Sequence, residues 1–361
     1  MTAPAATARS ARGDRLVELI AERELDGLLV TRLVNVRYLT GFTGTNGACV
    51  VTPDERSFLT DFRYVEQAQE QIQGFEVVKA GRELLGDLAG QLRGRVGFDD
   101  AQLSVRAHRR LEQSVADGVE LVAAGGLVER LREVKDEEEL RAIADAASLA
   151  DGVYRAVLER GLVGRTEREV ASWMECELRA RGATDRAFPA IVASGPHGAL
   201  PHAEPRDVPI PANTLVVMDV GCELEGYCSD CTRTIATGEL DQAAAEVYEL
   251  VRSTQERALG EVRAGVECRA VDAAARELIE AAGHGDRFGH GVGHGVGLEV
   301  HEGPRLAKTA EGELRSGNVV TIEPGVYLPG QFGVRIEDLV AVTDEGCEVL
   351  TGFPKTLVTA A

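Results

Sequence analysis

The stretch that decides the fold is LVVMDVGCELEGYCSDCTRTI, residues 215–235. Two β-rich runs flank a short polar segment that ends in Gly226, which is the pattern of a β-hairpin. A turn centred on Leu224 and Glu225 sets Asp219 directly opposite Asp230, whereas a turn one residue later makes the two acids diagonal neighbours on one face. Two acids on an apolar strand pair are costly unless something neutralises them, although a wet sheet edge would also tolerate them.

A second hairpin near the end of the chain repeats this arrangement. The run VVTIEPG at residues 319–325 precedes a loop through Gly330, and GVRIEDLV at residues 333–340 follows the loop. A return centred on Gly330 sets Glu323 opposite Glu337. Each of the two hairpins is therefore predicted to present a pair of carboxylates.

Between the hairpins lies FGHGVGHGVGLEVHE, residues 288–302, which holds three of the seven histidines. Glycine at every second position from 289 to 297 lets the backbone approach whatever the imidazoles of His290, His294 and His301 hold. The spacing does not fit the dinucleotide fingerprint G-x-G-x-x-G. An earlier loop, SGPHGALPH at residues 194–202, ends in His202, and a loop histidine is more often a solvated surface group than a catalytic one.

If the four acids converge, their charges repel by about 1–4 kcal/mol for each close pair. Two divalent cations would balance the four charges, and four carboxylates with one imidazole form a plausible set of ligands for two metal ions about 3.5–4 Å apart. Such a pair of ions activates water and polarises a carbonyl group, which suits hydrolysis. Oxygen-rich ligation with one imidazole favours manganese, with cobalt, zinc or iron as competitors.

The front of the chain has a different pattern. Residues 1–14 are predicted to be a flexible tail, and residues 15–130 to form a small α/β domain with a partly parallel sheet, because short strands alternate with helices there. A single long helix over residues 127–160 is predicted to lead into a second domain, 131–361. The remaining predicted segments are strands at 28–30, 48–51, 57–59, 75–79, 96–98 and 121–123, and helices at 15–26, 63–73, 83–93, 104–116, 166–182, 241–260 and 268–282.

The composition excludes several functions. A formal charge of −20 argues against nucleic acid or an anionic membrane as a partner, and no apolar run approaches the roughly 20 residues of a membrane span. Seven cysteines, an odd number, favour a reducing cytoplasm over a disulfide framework. The pair Cys228 and Cys231 has C-x-x-C spacing, yet no second pair completes a tetrahedral zinc site.

Taken together, these motifs resemble those of the proline-specific metallopeptidases of the creatinase/aminopeptidase family, and the resemblance covers nearly the whole chain. It implies an α+β protein, with a pita-bread catalytic domain over 131–361 and a smaller N-terminal creatinase-type α/β domain. The segments that carry the resemblance are MDVG (218–221), CSDCTRT (228–234), GHGVG (293–297), IEPG (322–325), VRIED (334–338), and, in the smaller domain, GFTG (41–44) and TDFRY (60–64).

The resemblance also implies roles for individual residues. Glu323 would accept a proton from the attacking water and relay it towards the leaving prolyl nitrogen, while His202 and His301 would stabilise the developing oxyanion. Cys231 departs from the family pattern, which usually has an aliphatic residue there. The implied metal ligands are Asp219, Asp230, His294, Glu323 and Glu337, and the implied proline-side residues are His290, Tyr327 and Arg335.

The implied function is hydrolysis of Xaa-Pro bonds in dipeptides or at the N-terminus of short peptides, by a cytoplasmic homodimer. The sequence does not decide between a dipeptidase and an aminopeptidase. A methionine aminopeptidase would use the same five ligands but usually lacks the front domain. A non-catalytic pita-bread binding module is a further alternative, although such relatives lose ligands that this chain retains.

Overall fold

The computed structural model describes residues 3–361, with the side chains of Arg9 and of residues 11–361. The chain divides into two compact units, with the boundary between Arg132 and Glu133. The sequence placed the boundary at residue 130. Among the described residues, no helix is both long and apolar enough to cross a membrane.

The first unit is built on one six-stranded sheet in the order β4-β3-β2-β1-β5-β6. The pairs β3–β4, β1–β5 and β5–β6 are parallel, and β1–β2 and β2–β3 are antiparallel, so the sheet is partly parallel, as predicted. The strands are β1 Gly27–Val30, β2 Ala48–Val51, β3 Arg56–Thr60, β4 Glu76–Lys79, β5 Arg95–Phe98 and β6 Glu120–Ala123, and the helices are α1 Ala3–Glu22, α2 Leu33–Thr40, α3 Val65–Gln71, α4 Leu84–Ala89, α5 Val105–Ser114 and α6 Leu127–Arg132.

The start of the chain differs from the predicted flexible tail. Helix α1 begins at Ala3, and only residues 1 and 2 lie outside the described residues. Arg12 is buried and donates a hydrogen bond to the Tyr38 carbonyl at 3.0 Å, and its guanidinium lies 4.4 Å from the centre of the Tyr38 ring. Leu16 and Ile20 are fully buried on the same helix. Burial of Arg12 beside Leu16 and Ile20 favours a helix that begins before the predicted residue 15.

The second unit contains four helices and thirteen strands among the described residues. Its sheets have the orders β12-β9-β8, β11-β10-β7, β14-β13-β15-β18-β19 and β16-β17. The helices are α7 Glu137–Arg160, α8 Glu167–Ala180, α9 Gln242–Leu259 and α10 Cys268–Ala281, and the strands are β7 Asp185–Arg186, β8 Ile191–Ser194, β9 Leu215–Asp219, β10 Cys222–Leu224, β11 Tyr227–Cys228, β12 Thr232–Ala236, β13 Gly293–Gly295, β14 Glu302–Leu306, β15 Val319–Ile322, β16 Gly325–Leu328, β17 Phe332–Arg335, β18 Asp338–Val342 and β19 Cys347–Val349.

Two helix pairs cover the sheets of this unit. Helices α7 and α8 contact each other and strands β7, β8, β10 and β11, while α9 and α10 contact each other and α9 also packs on β15, β16 and β17. Each pair buries its own hydrophobic cluster against the strands. Burial of each large aliphatic side chain contributes about 1.5–3 kcal/mol. These clusters therefore stabilise the positions of the strands, and with them the side chains on the other face of the sheets.

The long helix predicted over 127–160 is wrong, because the structure has two helices there. Helix α6 ends at Arg132, and Asp136 caps the start of α7 by accepting hydrogen bonds from the backbone N–H groups of Glu138 and Glu139. The Glu139 side chain in turn accepts from the Asp136 N–H, which completes a capping box. The acidic run around Asp136 was predicted to lie inside one continuous helix, but Glu139 is buried in the first turn of α7.

The registers of the two hairpins decide where the acids lie. In the first hairpin Asp219 pairs with Thr232, and the turn falls at Glu225 and Gly226, which have φ angles of 51° and 89°. Positive φ at both positions is typical of a two-residue hairpin turn. The directly opposed register is therefore wrong, and the diagonal one is found.

In the second hairpin the structure has the predicted register. Ile322 pairs with Asp338, and Gly325 pairs with Arg335, which sets Glu323 opposite Glu337 between these two pairs. Gly330 lies in the turn with a φ of 77°.

Candidate metal centre and active site

Five side chains from the two hairpins and the glycine-rich segment come together in one cavity. Asp230, His294 and Glu337 each offer one ligand atom, and these three atoms lie within 4.8 Å of one another. The Nε2 atom of His294 is 3.6 Å from an Asp230 oxygen and 3.4 Å from a Glu323 oxygen. Asp219 lies at the end of β9 and lines the same cavity.

Two of the carboxylates are each oriented by a hydrogen bond to one oxygen. Thr232 donates to Glu337 at 2.7 Å, and Arg335 donates to Asp219 at 2.8 Å. The second oxygens, Asp219 Oδ1 and Glu337 Oε1, are buried and have no hydrogen-bond partner among the described residues. A buried carboxylate oxygen without a partner is costly, and a bound cation would remove that cost.

Burial and mutual repulsion disfavour the charged forms of these acids. Burial, followed by the charges of Glu337 and Asp219, raises the pKa of Asp230 well above its usual value. Burial and the charge of Glu323 likewise raise the pKa of Glu337, and burial raises that of Glu323. Four ionised carboxylates are therefore disfavoured in this site unless a cation is bound among them.

The tautomer of His294 follows from its contacts. Its Nδ1 lies 3.1 Å from the Gly295 carbonyl oxygen, which can only accept, so Nδ1 carries the hydrogen. Burial lowers the pKa of His294, so the ring is neutral and Nε2 directs a lone pair at the carboxylate oxygens of Asp230 and Glu323. A lone pair facing carboxylates at 3.4–3.6 Å is the arrangement expected of ligands that share a cation.

The donor set therefore fits divalent metal ions. Four carboxylates and one imidazole line one cavity, and within the part of the chain that the structure describes two of their buried oxygens have no hydrogen-bond partner. Nδ1 of His294 is held by a carbonyl group, which leaves Nε2 for a metal ion. The cysteines do not take part in this set. Cys228 and Cys231 are buried free thiols whose pKa is raised by that burial.

The cavity, of about 1040 Å³, also receives two exposed histidines. His202 comes from the loop after the short 3-10 helix Gly195–Ala199, and His301 from the segment before β14. The ring centres of His301 and His294 are 4.4 Å apart. Burial, His294 and His202 lower the pKa of His301, which favours its neutral ring, and a neutral imidazole can both donate and accept a hydrogen bond.

The three residues expected on the proline side form a chain of hydrogen bonds. The Tyr327 hydroxyl donates to Nε2 of His290 at 2.9 Å, since Nδ1 of His290 already donates to the Gly291 carbonyl, and it accepts from Arg335 at 3.1 Å. Arg335 is 4% exposed and also donates to Asp219, so this chain reaches one of the predicted metal ligands directly.

Several residues that orient the site were not predicted from the sequence. Thr232 donates to Glu337 and accepts from Arg335, and Thr321 contacts both the His294 N–H and Glu323. Glu167 was not singled out either, although it is a fully buried acid near the His202 loop. The only sequence signal for Thr232 is its pairing with Asp219, which requires the correct register.

Comparison with known proteins agrees with this geometry. Residues 141–344 match the model of metallopeptidase family M24, and residues 12–134 match the creatinase/prolidase N-terminal domain. The chain belongs to metallopeptidase family M24, with a creatinase N-terminal domain followed by a pita-bread domain. It is a metallopeptidase, and members of such a family depend on divalent metal ions.

Individual relatives match along almost their whole length. An uncharacterized peptidase, YqhT, from Bacillus subtilis is 39% identical, with 96% of this chain and 99% of the relative covered. The structure of an Xaa-Pro dipeptidase from Bacillus anthracis superposes with a TM-score of 0.94 at 38% identity, covering 97% of this chain and 99% of that one. An X-Pro aminopeptidase from Thermotoga maritima gives a TM-score of 0.89 at 33% identity, covering 96% and 99%.

Proposed function

We propose that this protein hydrolyses the Xaa-Pro peptide bond, in Xaa-Pro dipeptides or at the N-terminus of short peptides. The observation that carries the proposal is the meeting of four carboxylates and His294 in one cavity, where two buried carboxylate oxygens have no hydrogen-bond partner among the described residues. Relatives that share the full length of the chain are named as an Xaa-Pro dipeptidase and an X-Pro aminopeptidase.

Two divalent ions, most simply manganese, would be held by five residues. An oxygen-rich set with one imidazole suits manganese, and cobalt, zinc and iron are the competitors. When bound, the ions would supply an activated water and polarise the scissile carbonyl group. The ligands would be Asp219, Asp230, His294, Glu323 and Glu337.

Three side chains would handle protons and the developing negative charge. Glu323 contacts His294 and takes a hydrogen bond from Thr321 at 3.2 Å, so its carboxylate is held where it could accept a proton and pass it to the leaving prolyl nitrogen. His202 and His301 line the cavity, and both could donate to an oxyanion there.

Selection of proline would depend on His290, Tyr327 and Arg335. Proline has no N–H and its φ is fixed, so a peptidase that grips the scissile amide hydrogen fails on it, while a pocket shaped for the ring succeeds. The hydrogen-bonded chain from His290 to Arg335 is rigid and ends at Asp219, so it would place the ring relative to the metal ligands. The trans isomer is the expected substrate.

Removal of one ligand tests the proposal. Asp230→Ala and His294→Ala should each abolish Xaa-Pro hydrolysis and lower the bound metal measured by elemental analysis. His202→Ala should keep the metal and lower turnover. Full activity in either ligand variant would refute the proposed site.

The same assay separates the remaining alternatives. Comparing an Xaa-Pro dipeptide, an Xaa-Pro-containing tetrapeptide and a Met-Ala peptide with manganese present would distinguish a dipeptidase, an aminopeptidase and a methionine aminopeptidase. A non-catalytic binding module would hydrolyse none of them. We also propose that residues 15–130 form the accessory domain and residues 131–361 the catalytic domain. We further propose that the protein is a cytoplasmic homodimer. Sedimentation equilibrium would measure the mass of the oligomer.

A further inference from the structure

Glu167 is a charged side chain with no exposure to solvent, and its contacts account for its burial. One carboxylate oxygen accepts hydrogen bonds from the Ser194 N–H at 2.8 Å, the Ser194 hydroxyl at 2.9 Å and Arg206 Nη2 at 3.0 Å. The other accepts from the N–H and Nε of Arg206 at 3.1 and 3.0 Å and contacts His197 Nδ1 at 2.9 Å. A buried acid with this many partners is a fixed point in the fold.

These partners stand at the two ends of one stretch of chain, residues 194–206, which we name the His202 segment. Ser194 and His197 lie at its beginning and Arg206 at its end, so the two oxygens of Glu167 tie both ends to the first turn of α8. In the middle, the Pro201 carbonyl accepts from Arg335 at 3.0 Å. His202 follows directly and lines the cavity, where its side chain is exposed.

The segment carries His202, a histidine of the candidate site that lies outside any strand or helix. Residues 203–206 have no regular secondary structure, so after His202 the chain is held by the burial of Ala203 and by the contacts of Arg206. An exposed loop residue that acts on a reacting group must be positioned closely, since a displacement of about 1 Å can reduce a rate by about 100-fold. Before His202, the 3-10 helix Gly195–Ala199 packs on β16 and β17 and Arg335 bonds the Pro201 carbonyl. The end at Arg206 is tied to α8 by Glu167 and by a hydrogen bond from the Arg168 N–H.

We infer that Glu167 is a positioning residue for the reaction, and that it holds His202 at the cavity by clamping both ends of the His202 segment. This inference rests on the proposed function for the effect on turnover, and on the structure alone for the clamp. Glu167 itself does not line the cavity and does not touch the metal ligands in the described contacts, so its effect would pass through the segment.

Glu167→Gln is the main test, since it keeps the shape of the side chain, removes its charge and points an amide donor at groups that are themselves donors. With the manganese-loaded protein and an Xaa-Pro dipeptide, kcat should fall about 10- to 100-fold while KM changes less than about threefold and bound metal stays at the wild-type level. Glu169→Gln is the matched control. Glu169 is exposed in the same turn and only completes the capping box, so kcat should stay near the wild-type value.

A double variant shows whether the effect passes through His202. If it does, Glu167→Gln added to His202→Ala should lower kcat by less than about threefold further, because the clamped group is already absent. If the fold-loss of kcat in the double variant equalled the product of the losses in the two single variants, the inference would be overturned. If Glu167→Gln does not fold, Arg206→Ala, which alters a half-exposed partner at one end, should give a smaller loss of the same kind.

Hydrogen–deuterium exchange separates this inference from the proposed function. Amide exchange in peptides covering residues 197–206 should speed up in Glu167→Gln and not in Glu169→Gln, whether or not a substrate is known. Unchanged exchange would overturn the clamp. If the manganese-loaded wild type failed to cleave any Xaa-Pro peptide, the proposed function would fall, and the exchange result would still decide the clamp.

Discussion

At the scale of single residues, neighbouring buried acids behave in opposite ways according to their partners. Asp230 and Glu337 face other carboxylates, and burial together with those charges raises the pKa of each. Asp338 is adjacent in sequence and equally buried, yet Arg233 and Lys355 donate to it and outweigh burial, so its pKa is lowered. Asp338 forms ion pairs with Arg233 and Lys355 that stabilise the fold. Asp230 and Glu337 lack such partners, and a bound cation would favour their charged forms.

We predict that Asp230→Asn stabilises the metal-free protein and destabilises the metal-loaded one. Without metal, the substitution removes a charge that its surroundings disfavour, and the free energy of unfolding at pH 8 should rise by about 1–2 kcal/mol. With excess manganese the wild type gains binding energy that the variant lacks. Urea unfolding with and without chelator measures both. The control is Asp338→Asn, which should destabilise in both conditions; an Asp230→Asn protein that is less stable without metal would contradict the prediction.

A second prediction at this scale concerns Glu167 and pH. Burial alone would raise its pKa, but hydrogen bonds from Arg206 and Ser194 lower it from 4.5 to about 2. The folded state then binds fewer protons than the unfolded state between these values, so the contribution of Glu167 to stability is complete above about pH 4.5 and is lost as the pH falls. The difference in unfolding free energy between wild type and Glu167→Gln should shrink from pH 5 to pH 3. A difference that stays constant would contradict this.

At the scale of elements, the candidate site depends on two hairpins being held in one register each. Tyr154 on α7 is fully buried, and its hydroxyl lies 2.8 Å from the carbonyl oxygens of both Met218 and Cys231. These two residues immediately precede Asp219 and follow Asp230. One helix side chain therefore joins the two chain segments that carry the first pair of acids.

Tyr154→Phe should lower the free energy of unfolding by about 1 kcal/mol, because one hydroxyl donor shared by two buried carbonyl groups is lost while the ring packing remains. Metal affinity should fall as well, since the segments that present Asp219 and Asp230 lose a common support. Tyr248→Phe is the matched control: its buried hydroxyl donates to the Lys355 carbonyl at 3.2 Å, away from both acids, so it should affect stability alone. Calorimetric titration with manganese measures the affinity, and equal effects of both variants on affinity would refute this view.

At the scale of the whole molecule, charge and metal binding are linked. The chain carries a formal charge of −20, and four of its acids converge in the second unit. Binding of divalent ions there would relieve the repulsion and couple the metal to folding.

Exhaustive chelation should therefore lower the Tm and abolish Xaa-Pro hydrolysis, and added manganese should restore both. A ligand present at about 100 times its Kd stabilises the folded state by about 2.7 kcal/mol, which differential scanning calorimetry detects easily. His294→Ala should show a much smaller metal-dependent change in Tm. Full activity in the chelated wild type would contradict a role for metal.

Much of this could be predicted from the sequence because the relevant patterns are local. The strands of the first unit follow apolar runs bounded by turns, and a turn centred on Gly330 gives the pairing of the second hairpin. The first hairpin left two registers open, since a polar turn allows either, and backbone conformation at Glu225 and Gly226 selects one. Two features were not predicted. The break before α7 depends on the burial of Glu139, and the early start of α1 depends on the burial of Arg12.

By itself, the sequence determined the chemistry of this protein: which acids and histidines are available, and the family to which they point. Only the tertiary structure decided the rest, namely that Arg335 bonds Asp219, that Thr232 orients Glu337, and that Glu167 ties together residues 194 and 206. The physical reason is separation along the chain. The type of a side chain and its neighbours along the chain can be read directly from the sequence. Contacts between residues dozens of positions apart form only when the strands and helices pack.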